Sequence, residues 1–166
     1  MEAPTIQGLR PTASRVREAL FNMMGDMHGL SMLDLFAGSG VMAIEAISRG
    51  ASQVLSIESN HAACQAMKVI RESWPVSGWS IDSGALPQAL PTDQRFDVIF
   101  ADPPYAQNIA EQLPSWLAKN NIGYDVLIIE ESSRVQVAWQ GDFLPIKQRK
   151  YGESTLYFFE PESVKQ

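Results

Sequence analysis

Short apolar runs at 32–37, 53–58, 79–81, 96–101 and 124–130 alternate with segments whose apolar residues recur at helical spacing. A short, uninterrupted apolar run bounded by turn residues reads as a buried strand. Strands alternating with helices predict a mainly parallel sheet with helices on both faces, a Rossmann-like α/β fold. The helices are expected from Thr12 or Ser14 to about Met24, over 41–49, over 60–73 before Trp74-Pro75, briefly over 85–90, and over 107–119. In the first of these, Val16, Leu20, Phe21 and Met24 share one face. Residues 144–150 and 155–160 read as a closing hairpin with its turn at 151–154, which would add an antiparallel edge and make seven strands. The chain is expected to be one domain: an N-terminal segment and helix over 1–30, then the Rossmann-like core over 31–166.

Ligands of such sheets bind beyond the carboxyl ends of the strands. Two motifs lie at such ends. The first is Asp34-Leu35-Phe36-Ala37-Gly38-Ser39-Gly40, between a strand and the helix that begins near Val41. Glycines there let backbone approach a ligand, and the helix start offers free N–H groups. The spacing is not that of the dinucleotide turn, because Ala43 stands at the third glycine position, and there is no Gly-Lys-Ser/Thr phosphate loop. Asp34 could pair with a cation or with hydroxyls. Glu58 closes the next strand, about 20 residues on, where an acid accepts hydrogen bonds from ribose hydroxyls.

The second motif, Asp102-Pro103-Pro104-Tyr105, follows Phe96-Asp97-Val98-Ile99-Phe100-Ala101. Two prolines fix φ and donate no N–H, so the turn is stiff and its carbonyls are left to accept from a ligand. Carbonyls, a carboxylate and a flat ring together suit a planar group bearing an NH₂. The bland alternative is a loop whose Asp caps a helix.

Asp-Leu-Phe-Ala-Gly-Ser-Gly resembles motif I of S-adenosylmethionine-dependent methyltransferases, and Asp-Pro-Pro-Tyr resembles motif IV of those that methylate exocyclic amines. The opening Arg10-Pro11-Thr12-Ala13-Ser14-Arg15-Val16-Arg17-Glu18-Ala19-Leu20-Phe21-Asn22 and the late Lys150-Tyr151-Gly152 resemble the RsmD family, which methylates guanine N2 in small-subunit ribosomal RNA. The resemblance implies S-adenosyl-L-methionine as cofactor, held by Asp34, Phe36, Ala37, Gly38, Gly40, Glu58 and Ser59. Ile57 and Ala85 would flank the adenine. It implies catalysis by Asp102, Pro103, Pro104 and Tyr105, and RNA contacts from Arg10, Thr12, Arg15, Arg17, Arg149 and Lys150. The partner would be the small subunit or its assembly intermediate, met by a monomeric, cytoplasmic enzyme. The chain departs from the family twice. Members open with a basic strand pair, whereas nine residues precede Arg10 here. The family's adenine-contacting acid falls near Gly84, with Asp82 two positions early.

The net charge of −6 argues against a general nucleic-acid binder. Cations are instead grouped, with Arg10, Arg15 and Arg17 early and Lys147, Arg149 and Lys150 late. Apolar runs are too short to cross a bilayer, and no signal-peptide pattern is present. The single cysteine, Cys64, is expected to pack in the interior, and two histidines offer no metal cluster. Glu130-Glu131 is expected to be solvated strand-end charge. Other readings remain: an amino-group methyltransferase acting on DNA adenine or cytosine or on protein glutamine, or a cofactor-binding module without transfer. DNA enzymes usually carry a separate recognition domain, and glutamine enzymes usually have Asn where Asp102 stands.

Overall fold

The computed structural model describes residues 3–4 and 11–161, the side chains of 11–13 excepted. The strands are β1 (Ser31–Leu35), β2 (Gln53–Glu58), β3 (Trp79–Ser83), β4 (Arg95–Ala101), β5 (Gly123–Ser132), β6 (Lys147–Tyr151) and β7 (Ser154–Phe159). The α-helices are α1 (Pro11–Met24), α2 (Val41–Ser48), α3 (His61–Ser73) and α4 (Leu113–Lys119). One sheet runs in the order β3-β2-β1-β4-β5-β7-β6. Strands β1 to β5 pair in parallel, and β7 runs antiparallel to both β5 and β6. This is the Rossmann-like arrangement with an antiparallel C-terminal hairpin. Strand order reverses at β1: the chain moves outward to β3, then returns to β4 on the other side of β1. The loops after β1 and β4 therefore open the same crevice.

Alternation along each strand sorts the core into two layers. Met32, Val54, Val98, Phe100, Ile128 and Phe158 pack with Val16, Leu20 and Phe21 of α1, Met42 of α2, and Cys64 and Met67 of α3. On the opposite face, Leu33, Ile99, Leu127 and Ile129 meet Leu113 and Leu117 of α4. No helix among the described residues is long and apolar enough to cross a membrane.

Two expected helices differ from the structure. Residues 85–90 form a turn, with hydrogen bonds from Ala89 N–H to Ala85 O and from Leu90 N–H to Pro87 O. Pro87 has no N–H to extend such bonds into a helix. The segment 107–119 becomes helical only at Ala110, first as a 3₁₀ turn to Gln112. Ala106 and Asn108 have φ of 60° and 57°, which no right-handed helix accommodates. The pair Glu130 and Glu131 also departs from expectation, because both side chains are buried. Strand β5 runs past its last partner on β4, Ile129 opposite Ala101, and Glu130 to Ser132 remain paired with β7 on the other side.

Asp34 is buried on the α2 side of β1, under the glycine turn. Trp79 Nε1–H donates to Ser56 Oγ at 3.0 Å, and the Ser56 hydroxyl donates to Asp34 Oδ2 at 3.3 Å. Burial pushes the Asp34 carboxyl up to about 7; the Ser56 hydrogen bond opposes this and the Glu58 charge adds to it. The folded state thus holds this proton more tightly than the unfolded chain. Its stability should fall as pH rises from about 4 to about 7, by an amount on the order of 4 kcal/mol for a shift of this size. Urea unfolding of wild type and Asp34→Asn across pH 4–8 checks this: wild type should lose stability relative to the variant through that window. Parallel curves would contradict it.

Candidate functional site

The site begins with a register. Leu35 of β1 lies opposite Ala101 of β4, and Asp102 N–H donates to Leu35 O at 3.3 Å. The glycine turn and the Asp-Pro-Pro-Tyr loop therefore leave the sheet side by side.

The glycine turn is built from left-handed residues: φ is 58° at Phe36, 58° at Gly38 and 82° at Gly40. Ala37 N–H bonds to Ile57 O at 3.1 Å, and Gly40 N–H to Ala37 O at 2.9 Å. The two glycines serve different needs. A Cβ on Gly40 would stand 2.8 Å from Met67 Cγ, so Gly40 lets α2 pack on α3. A Cβ on Gly38 would meet nothing within 4 Å, because it faces the open crevice. No side chain caps α2, whose first N–H groups adjoin the turn.

Glu58 spans the turn. Its Oε1 accepts from Gly38 N–H at 2.8 Å and its Oε2 from Asn60 N–H at 2.7 Å. A carboxylate has about four lone-pair sites, so each oxygen can accept one more hydrogen bond. Asn60 then caps α3 through Ala63 N–H at 2.9 Å. A cavity of about 340 Å³ opens beside Glu58, lined also by Phe36, Ser59 and the whole Asp102-Pro103-Pro104-Tyr105 segment. It adjoins a more apolar cavity of about 220 Å³ between Phe36, Ile57, Ala85 and Pro104, which Gly84 also lines. Asp82 is exposed on β3 and lines neither, and Asp34 lies beneath the turn rather than on the crevice wall.

A further cavity of about 150 Å³ lies on the α1 side of the sheet. Its walls are Val16 and Arg17 of α1, Val41 and Met42 of α2, Phe100 and Asp102 at the end of β4, Glu130 of β5, Tyr105, and Glu153 and Ser154 of the closing hairpin. Asp102 and Tyr105 line this cavity and the Glu58 cavity alike. Tyr105, 42% exposed, is tied to the hairpin through its hydroxyl, 3.2 Å from Ser154 Oγ. Pro103 is buried and Pro104 exposed.

The expected cations divide. Arg15 is exposed on α1, and Arg149 and Lys150 are exposed on β6, the sheet edge. Arg17 is half-buried and lines the α1-side cavity instead of standing on a rim. Arg10 and the Thr12 side chain lie outside the described residues. Glu130, expected as solvated strand-end charge, is instead buried against this cavity. It sits at the carboxyl end of a parallel strand, the one positional signal that could have found it. No group of three or more potential metal ligands occurs among the described residues.

The chain is 40% identical over 124 residues to ribosomal RNA small subunit methyltransferase D of Haemophilus influenzae, covering 69% of this chain and 63% of that protein. It is 31% identical to the Escherichia coli protein of the same name, covering 82% of this chain and 70% of that one. The match thus spans less than two thirds of the Haemophilus protein's length. The solved structure of yhhF from Escherichia coli superposes with a TM-score of 0.82 at 25% identity, over 96% of this chain and 91% of that one. A family model, Conserved hypothetical protein 95, matches residues 1–160, and the chain belongs to that family, the RsmD family that its opening and its late Lys150-Tyr151-Gly152 resemble.

Proposed function

We propose that this chain transfers a methyl group from S-adenosylmethionine to the exocyclic N2 amine of a guanine in small-subunit ribosomal RNA. One observation carries the reading: a cofactor-sized crevice and an acid-lined cavity meet at Asp102 and Tyr105. The names of the relatives support the ribosomal RNA acceptor.

The residues fit the cofactor. Gly38 leaves the crevice floor open, and Glu58 keeps acceptor capacity for the two ribose hydroxyls. Phe36, Ile57, Ala85 and Pro104 offer apolar walls to the adenine, which Gly84 and Ser59 border. The N–H groups at the start of α2 suit the carboxylate of its amino-acid end. When bound, S-adenosylmethionine supplies an electrophilic methyl group.

Acceptor chemistry belongs to the proline loop. A guanine N2 is a poor nucleophile because its lone pair is delocalised into the ring. The Asp102 carboxylate and the Pro103 carbonyl accept its two N–H hydrogens, which orients the nitrogen and favours its pyramidal form. Positioning of this kind supplies much of the rate. Asp102 also takes up the proton that N2 loses. Tyr105 stacks on the base, a contact worth about 1–3 kcal/mol. A paired base cannot reach this cavity, so the guanine is flipped or already unpaired. Arg15, Arg149 and Lys150 hold neighbouring phosphates, so attraction is local on a chain of net charge −6.

The direct test is transfer of labelled methyl from S-adenosylmethionine to small ribosomal subunits lacking modification, with nucleoside analysis. N2-methylguanosine at one site is expected; methyladenosine or methylcytosine would overturn the reading, and cofactor binding with no transfer would favour a binding module. In the same assay Asp102→Ala should lower single-turnover transfer by about 100-fold or more with cofactor affinity nearly intact. Gly38→Val should instead lose cofactor binding, since a β-branched side chain at a φ of 58° strains the turn and fills the open space beside it; normal binding by that variant would remove the turn from the site. Replacing Arg149 and Lys150 together by Gln should make RNA binding less salt-dependent, reducing the log–log slope by about 1–2. An unchanged slope would place the phosphates elsewhere.

A further inference from the structure

Among the polar groups lining the α1-side cavity, Glu130 and Arg17 are buried or half-buried and left unused by the methyl-transfer chemistry. Glu130 lies at the carboxyl end of β5, 8% exposed, on the same face of the sheet as Ile128. Across the cavity, Arg17 reaches in from α1, and its Nη1 is shut off from solvent with no hydrogen-bond partner. A buried guanidinium N–H without an acceptor is costly, and such groups in native proteins call for a partner. Val16, Val41, Met42 and Phe100 supply the apolar walls. A cavity of about 150 Å³ takes an aromatic ring of benzene's size.

These groups complement one edge of one base. The Watson–Crick edge of guanine presents, in order, the O6 acceptor, the N1–H donor and the N2–H donors. Besides Glu153, which is exposed and paired with Arg134, and the mutually bonded hydroxyls of Tyr105 and Ser154, the cavity presents one guanidinium, Arg17, and two carboxylates, Glu130 and Asp102. An ionised carboxylate only accepts and a guanidinium only donates. Adenine and cytosine place a ring-nitrogen lone pair where guanine has N1–H, and that lone pair would face a carboxylate.

We propose that Glu130 and Arg17 are specificity-determining residues that read the guanine edge: Glu130 accepts from N1–H and Arg17 donates to O6, while Asp102 holds the N2 amine. This rests on the guanine-N2 reading above. It explains why an arginine in a segment rich in exposed polar residues turns inward, and why a glutamate is buried at the end of β5. Recognition of a flipped base by its Watson–Crick edge is the general solution to this problem.

The test replaces the accepting nucleotide, by ligation of synthetic RNA into small-subunit RNA, with 2-aminopurine. That base keeps the N2 amine, lacks O6, and presents N1 as an acceptor. Wild type should prefer guanine by about 100-fold or more, as sites built around hydrogen bonds reject analogues lacking them. In Glu130→Gln, whose amide N–H can donate to N1, the preference should fall by about tenfold or more. In Arg17→Met, guanine transfer should fall by about tenfold or more, with 2-aminopurine transfer close to wild type. Binding of S-adenosylmethionine reports whether each variant is folded, and either folded variant decides the matter. Wild-type transfer to guanine with the preference unaltered in the variants would overturn this proposal alone. If wild type methylates no guanine in that RNA, the guanine reading falls and this proposal with it.

Discussion

The pairing of β1 with β4 is the constraint on which the site depends. These strands are about 65 residues apart in sequence, yet Leu35 lies opposite Ala101 and Asp102 N–H bonds back to Leu35 O. Side chains alternate faces along a strand, so a slip of one residue would turn Asp34 and Phe100 to the wrong face and carry Asp102 away from the crevice. The alternating apolar positions of β4, Val98 and Phe100 on one face and Ile99 and Ala101 on the other, hold that register by their fit to two separate layers.

Trp79, Ser56 and Asp34 form one chain of hydrogen bonds beneath the glycine turn. Glu58 ties the turn from above through Gly38 N–H and links it to the start of α3 through Asn60 N–H. The turn, with three left-handed residues from Phe36 to Gly40, is thereby held by its neighbours as well as by its own glycines. Such backbone is costly outside glycine, and Phe36 adopts it where the crevice needs a ring on its wall.

Charge is arranged by location more than by sum. Carboxylates Asp102 and Glu130 line one cavity, whereas Arg15, Arg149 and Lys150 remain in solvent. A phosphate is repelled by the first group and attracted by the second.

By itself the sequence determined the alternation of strands and helices, the antiparallel hairpin, the glycine turn and the proline loop, because each is encoded by neighbouring residues through periodicity, backbone freedom and ring constraint. Boundaries blurred where local backbone overrode pattern, as at Ala106 and Asn108 before α4 and at Pro87 after β3. Tertiary structure alone decided that Glu130 is buried in the α1-side cavity, that Arg17 turns inward while Arg15 does not, and that Asp34 lies under the turn rather than on the crevice. The reason is physical: burial of a side chain is set by which distant elements cover it, and α1, β5 and the hairpin meet only once the sheet order places them together.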